Sequence, residues 1–295
     1  MKSLETVRFA IVGAGKVGTA LARLLSHEGY KFLGAASRSL TSAQATCDFA
    51  GCGQATSEAA EITADADLIF ITTPDDVIAE VCTNLAQASA FRSGAVVAHC
   101  SGAHPSTILA PAAEAGAEIG SMHPLQSFAT ADEAVKVLPG SYCCIEGTEQ
   151  AVTVLSGAAE AIGSQVMTVP TKHKALYHAA AVVACNYLVA LENAALRLDE
   201  AAGLDREDAR EALLPLIKGT INNLENVGIP DCLTGPIARG DVETTQRHIE
   251  AMEQEIPDLL PLYKQLGIET VSVARAKGTL SEARAEKLLE MFETE

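Results

Sequence analysis

The sequence predicts an α/β protein: a mostly parallel sheet in residues 1–169, followed by an all-helical domain in residues 170–295. Three observations carry this reading. Strand and helix signals alternate through the first half, which implies parallel strands joined by right-handed crossovers. The strand signals almost stop after Pro170. Aromatic residues are only 4% and Trp is absent, so alanine does much of the packing, which favours close-packed helices over a β-sandwich.

The elements follow in order. Val7–Val12 is a β-rich run, Gly13–Gly18 a turn and Lys16–His27 a helix. Phe32–Ala36 is a second strand, with a helix near Ser42–Ala50. Leu68–Thr73 is nearly all apolar, the signature of a parallel strand buried on both faces. Pro74 opens a helix, where its missing N–H costs nothing. Ala95–Ala98, Glu118–Met122 and Tyr142–Ile145 are later strands, with a helix near Ser106–Ala115. A helix over about Glu149–Ile162 and a strand at Gln165–Val169 close this half. Lys172–Ala202 then reads as one long helix, C-capped by Gly203. Helices follow at Asp205–Val227, Val242–Gln254, Pro257–Leu266 and Leu280–Phe292, with Gly228–Gly240 as a loop.

At 295 residues the chain has room for about two domains, taking roughly 100–200 residues each. With 48% hydrophobic and 20% charged residues, a large core is available and wholesale disorder is excluded. The net charge of −17 argues against a nucleic-acid or anionic-membrane partner, though not against a phosphate held by a local glycine loop. Eight scattered cysteines with no CxxC, two of them adjacent (Cys143 and Cys144), read as reduced thiols in a cytoplasmic protein. The first apolar run leads straight into a glycine motif and does not read as a signal peptide. The longest apolar stretch, Ala175–Leu198, contains His178, Asn186, Glu192 and Asn193, and fits a buried helix better than a membrane span.

Gly13-Ala14-Gly15-Lys16-Val17-Gly18 matches GxGxxG between a strand and a helix, the context that makes the motif informative. Gly13 allows the tight turn, Gly15 lets a pyrophosphate approach the backbone, and Gly18 lets helix and sheet pack closely. The helix N-terminus offers free N–H groups to phosphates. The first half is therefore Rossmann-like. The second strand ends in Ser37-Arg38-Ser39, where an NAD site would carry an acid. Arg38 can pair with a 2′-phosphate and the serines can donate to it, which points to NADP(H); the bland alternative is a solvated arginine. Thr72, Thr73 and Pro74 should lie beside the nicotinamide ribose.

Three polar segments follow predicted strands or open the long helix: His99-Cys100-Ser101-Gly102, the run from Met122-His123 to Phe128, and Lys174 to His178. Lys174 and His178 are i and i+4 and share a helical face. Asn186 lies about 80° to one side of that face. Hydride transfer to a carbonyl needs a proton donor and a substrate anchor. Lys174 and His178, with His123 nearby, are candidates for the first; Ser101 and the Gly102 backbone are candidates for the second. The alternatives are a solvated lysine and a core or capping histidine. His99, Cys100 and His123 form no recognised zinc set, so no metal is expected. Cys100 has no base fixed beside it in sequence, which argues against a nucleophile. In Leu233-Thr-Gly-Pro-Ile-Ala-Arg-Gly-Asp241, Asp241 reads as a helix N-cap. Arg239 there is either a fork for a substrate carboxylate, in its own subunit or a second one, or a surface arginine.

Together these motifs resemble a bacterial family of Rossmann-like candidate oxidoreductases whose C-terminal half is a domain of unknown function. Its layout is similar to the 6-phosphogluconate dehydrogenase-like superfamily, with its hydroxyacid dehydrogenases, pyrroline-5-carboxylate reductase and ketopantoate reductase. The resemblance implies an NAD(P) domain, a helical domain that often dimerises, and an active site between them. It puts Lys174 where the superfamily has a catalytic lysine, with His178 in place of the asparagine one turn later. It puts Ser101-Gly102 where the hydroxyacid dehydrogenases hold a carboxylate. Neighbouring pantothenate-synthesis genes in that family turn it into a hint of ketopantoate. Fold alone does not fix function.

The resulting expectation is a cytoplasmic, homodimeric NADPH-dependent reductase of a small 2-oxo acid, with ketopantoate as candidate. Lys174 and His178 would deliver the proton; Ser101, Gly102, Asn186 or Arg239 would orient the carboxylate. The alternatives are a cyclic-imine reductase and a non-catalytic NADP(H)-responsive regulator.

Overall fold

The computed structural model describes residues 7–294. Its single sheet has eight strands: β1 (Arg8–Val12), β2 (Lys31–Ala36), β3 (Gln54–Thr56), β4 (Leu68–Ile71), β5 (Val96–His99), β6 (Glu118–Leu125), β7 (Tyr142–Gly147) and β8 (Gln165–Thr168). The spatial order is β3-β2-β1-β4-β5-β6-β7-β8. Each neighbouring pair is parallel except β6 and β7, which run antiparallel from Gly120 opposite Gly147 to Leu125 opposite Tyr142. The chain goes outward from β1 to β2 and β3, then returns past β1 to β4. That reversal opens a crevice at the carboxyl ends of β1 and β4, where open α/β sheets bind ligands.

Side-chain alternation along the strands makes two cores. Phe9 and Ile11 of β1 and Leu68 and Phe70 of β4 face one layer, with Leu21 and Leu25 of the helix Lys16–His27. Ala10, Val12, Ile69 and Ile71 face the other, with Ile62, Ile78 and Leu85. All four β4 residues are sealed from solvent. Burying each of the larger apolar side chains contributes about 1.5–3 kcal/mol.

Several elements go beyond the sequence reading. β3 is only three residues long and has no apolar run to mark it. After Pro74 a single 3₁₀ turn (Asp75–Val77) precedes the helix Ile78–Gln87. β6 extends to Leu125 because β7 pairs with it along that whole length. The helix Ala131–Val137 was not foreseen, although Thr130 and Glu133 mark it: Thr130 Oγ1 accepts from Glu133 N at 3.2 Å, and Glu133 Oε2 accepts from Ala129 N at 2.8 Å.

The chain divides into two compact units, one ending at Asn186 and the other running Tyr187–Glu295. The division falls past the boundary expected at Val169, because Lys174 and Tyr177 are bonded to β6 side chains. Residues 174–201 are helical throughout, with a π-type turn at Val182–Asn186. The expectation of a buried helix here is overturned. Leu176 is 73% exposed and Val189 69%, and Tyr187–Ala201 contains no buried residue. Burial needs an apolar surface opposite; within the second unit this segment meets Arg206–Asn226, which itself buries only Ala209. By length and composition alone, Thr171–Ala201 could cross a membrane.

The second unit's core gathers Ile249, Val271, Ala274, Leu288 and Phe292. Its helix Leu260–Lys277 runs well past Leu266, where the sequence reading ended it, and continues through Gly267. That glycine is a packing residue: a Cβ there would lie 2.5 Å from the Phe292 ring. The loop before Gly240 holds one helical turn, Pro236–Arg239.

Candidate functional site

The crevice between β1 and β4 is a cavity of about 510 Å³. Gly13, Ala14 and Gly15 line it from the loop after β1, Ser37 and Arg38 from the end of β2, and Thr72, Thr73 and Pro74 from the end of β4. The glycines divide the work as the motif requires. Gly13 has φ +113°, and a Cβ there would lie 2.6 Å from the Thr72 carbonyl carbon. A Cβ on Gly18 would lie 2.4 Å from the Gly13 carbonyl oxygen, so its absence lets helix and loop touch. Gly15 has only the Thr72 oxygen nearby, at 3.8 Å, and stays open to a ligand. Thr72 locks the turn by donating its hydroxyl to Gly13 O at 2.6 Å.

These residues fit a dinucleotide. The helix starting at Lys16 has no side-chain cap, leaving its first N–H groups for an anion. Thr73, one of the residues lining the cavity, has its Oγ1 buried with no hydrogen-bond partner. Lys16, Val17 and Gly18 form the first helical turn rather than the cavity wall. Ser39 caps the next helix, its hydroxyl accepting from Ser42 N at 3.3 Å, which leaves its own O–H to donate. Ser57, Glu58 and Asn84 also line the cavity. The first two were missed because they follow β3, which was not read.

A second cluster forms where β4, β5 and β6 end. His123 of β6 meets Tyr177 and His178 of the helix Lys174–Ala181. His123 Nδ1 lies 2.9 Å from the Tyr177 hydroxyl, and the two histidine rings stand edge to face at 5.8 Å. Gly102 lies beneath both: a Cβ there would meet His178 Cδ2 at 2.4 Å and His123 Nε2 at 2.8 Å. The structure thus brings Gly102, His123 and His178 together and adds Tyr177, which the sequence reading did not single out.

Two expected roles need correction. Ser101 Oγ donates to Asp75 Oδ2 at 2.7 Å and accepts from Ala103 N and His104 N. Its hydroxyl is fully engaged beside a carboxylate, which opposes a role in holding a substrate carboxylate. Lys174 is 1% exposed, and its ammonium donates to Ser121 Oγ. Glu146 of β7 lies 3.7 Å away and also accepts from Ser106 N, Ser106 Oγ, Ser121 Oγ and Thr171 Oγ1, at 2.7–2.8 Å. Lys174 therefore belongs to a sealed network tying helix to sheet, not to an open cleft.

Electrostatics separate the groups. Burial pushes His99 and His123 down to about 4, with nearby Lys174 reinforcing it, so both rings are neutral at pH 7. His99 accepts from Ser101 N at Nδ1 and donates from Nε2 to Pro105 O. Burial pushes the Tyr177 hydroxyl up. Burial also lowers Lys174, with Glu146 opposing the shift. Burial works to raise Glu146, but hydrogen bonds from Ser121, Thr171 and Ser106, with the charge of Lys174, hold it below the ordinary range. Among the described residues, no group of three or more His, Cys, Asp or Glu is placed to hold a metal ion.

Asn186 is exposed at the end of the π-type turn. Arg239 belongs to the second unit, where it lines a cavity of about 480 Å³ with Leu233, Thr234 and Lys277. Asp241 is the N-cap the sequence indicated, accepting from Thr244 N at 3.1 Å.

Residues 3–124 match the model of a Rossmann-like domain, and residues 141–270 match the domain of unknown function DUF2520. A protein of Thermotoga maritima is similar in structure, with a TM-score of 0.73 at 26% identity over 92% of this chain and 99% of its own. A candidate NADP oxidoreductase of Bacteroides fragilis gives 0.72 at 23% identity, over 92% of this chain and 100% of its own. A pyrroline-5-carboxylate reductase of Coxiella burnetii gives 0.57 at 15% identity, over 96% and 98%. No curated protein matches the chain.

Proposed function

We propose that this chain, which pairs a Rossmann-like domain with a DUF2520 domain, is an NADPH-dependent reductase of a small compound with a polarised double bond. The observation that carries the reading is the β1/β4 cavity: an open Gly15 backbone, an uncapped helix N-terminus, the orphan Thr73 hydroxyl and Arg38 at its edge. NADPH supplies the hydride when bound. Gly13–Gly15 hold the pyrophosphate, Ser37 and Arg38 take the 2′-phosphate, and Thr73 bonds toward the ribose. The neutral His123, with His178 beside it over Gly102, faces the acceptor.

The carbonyl reading, a 2-oxo acid with ketopantoate as candidate, is supported by the family resemblance. One observation favours a cyclic imine as second reading: the Asp75 carboxylate beside Ser101 would attract a positively charged iminium. The structural neighbours also include proteins named imine reductases. The test is oxidation of NADPH by purified protein with ketopantoate, other 2-oxo acids and cyclic imines, with NADH in parallel. Turnover with NADPH on any of these supports a reductase; none with either cofactor removes this reading and leaves the regulator.

The active form is a homodimer joined through its exposed apolar helices. Val189, Leu214 and Leu216 of the second unit lie open, and the net charge of −17 disfavours an anionic bilayer as their cover.

A further inference from the structure

We infer that Tyr177 is a positioning residue that holds His123 in the tautomer with its proton on Nε2, so that an Nε2–H donor is presented over Gly102 as the hydrogen-bonding group of the site. The inference rests on the reductase reading for its use, but not for its physical basis.

The His123–Tyr177 contact allows two arrangements. In one, the phenol O–H donates to Nδ1, and the ring proton sits on Nε2. In the other, Nδ1–H donates to the phenol oxygen, and the phenol proton must find another acceptor. The neighbour on the far side is the Cys144 thiol, brought next to Tyr177 because Cys144 lies opposite His123 in the β6–β7 register. A thiol is a weak acceptor, whereas an unprotonated imidazole nitrogen is a strong one. In the first arrangement the phenol proton meets the stronger acceptor: Tyr177 O–H donates to Nδ1, and Nε2 keeps its hydrogen. Burial keeps the thiol and phenol protonated and the imidazole neutral, so the choice lies between these two tautomers.

The other ring nitrogen is aimed at the cluster. His123 Nε2 makes no hydrogen bond to any described residue, and it lies 2.8 Å from where a Gly102 Cβ would stand. A neutral N–H at this point polarises a double bond by hydrogen bonding without itself losing a proton, and the proton that completes the reduction after hydride transfer comes from water. It suits an acceptor with a lone pair, a carbonyl oxygen or an unprotonated imine nitrogen, and repels an iminium N–H. His99, on the next strand, shows the same device: there Ser101 N–H fixes Nδ1 as the acceptor. In His123 a side chain 54 residues away does this work.

The test is nitrogen-15 NMR of the histidine rings in the full-length protein at pH 7, with His123 assigned through loss of its signals in His123→Gln. The expected spectrum shows an unprotonated Nδ1 and a protonated Nε2. Tyr177→Phe should then give a mixture of tautomers while NADPH binding by fluorescence is kept. A proton on Nδ1 in the wild type overturns the inference, as does an unchanged tautomer in Tyr177→Phe. If that variant does not fold, the wild-type spectrum decides alone. No substrate is needed, so a panel without turnover would remove the reductase reading and leave this inference standing, and the wrong tautomer would do the reverse.

Discussion

Lys174 Nζ lies 3.7 Å from Glu146 Oε1, and neither side chain is more than 2% exposed. A lysine this deep is tolerated because Ser121 Oγ accepts a hydrogen bond from its ammonium and Glu146 supplies a counter-charge. The pair joins the start of a long helix to β7, and its partners Ser106 and Thr171 sit on the connections that flank them.

Breaking that pair should destabilise the fold. Lys174→Met leaves a buried carboxylate unpaired, and removing one partner of a buried pair costs about 3–5 kcal/mol. Urea unfolding should show the loss in the midpoint. An unchanged midpoint together with lost turnover would return Lys174 to the chemistry.

Gly102 should not tolerate a methyl group. Gly102→Ala would displace the His123 and His178 rings, since the new Cβ would lie under 3 Å from both. Turnover on the compound found in the panel should fall at least about tenfold, the equivalent of about 1.4 kcal/mol. NADPH binding should persist, because the dinucleotide cavity does not include Gly102. Loss of NADPH binding instead would show a general collapse.

Arg38→Ala should weaken NADPH relative to NADH. A hydrogen bond to a charged group contributes about 1.5–3 kcal/mol, so the preference should fall roughly 10–100-fold. Fluorescence titration with both cofactors reads this directly. An unaltered ratio would make Arg38 a solvated side chain.

Acid should destabilise the first unit in two ways. His99 and His123 bind protons in the unfolded chain near the ordinary 6.5 but in the folded chain only near 4. The stability they contribute is complete above 6.5 and is lost as pH falls from there toward 4. Glu146, held below its ordinary 4.5, contributes above that value and loses its share as pH falls through its folded-state value. Tm should therefore decline below pH 6.5, with a smaller slope in His99→Asn. A flat Tm from pH 7 to 4.5 would contradict the histidine assignment.

The apolar surface of the second unit should be covered in solution. Light scattering should give a dimer mass, and Val189→Glu with Leu216→Glu should shift it toward the monomer. A monomeric wild type would remove the dimer, and recovery in the membrane fraction would assign the face to lipid.

The sequence by itself determined the alternating sheet, the glycine loop, Arg38 at the tip of β2 and the helical second half. Each is written in a short window: apolar runs for buried strands, glycines where the backbone turns, caps where helices begin. Only the tertiary structure decided what faces each side chain. Lys174 reads as an accessible proton donor until Ser121 and Glu146 enclose it from strands more than twenty residues upstream. Leu266 reads as the end of its helix, yet the chain stays helical to Lys277, with the Phe292 ring filling the space a Cβ on Gly267 would need. The apolar helix reads as buried, but within the single chain Tyr187–Ala201 contains no buried residue. Tyr177 carries no local signal at all, because its role comes from a hydrogen bond to a histidine on another element. Burial and pairing depend on the opposing surface, and local sequence does not contain that surface.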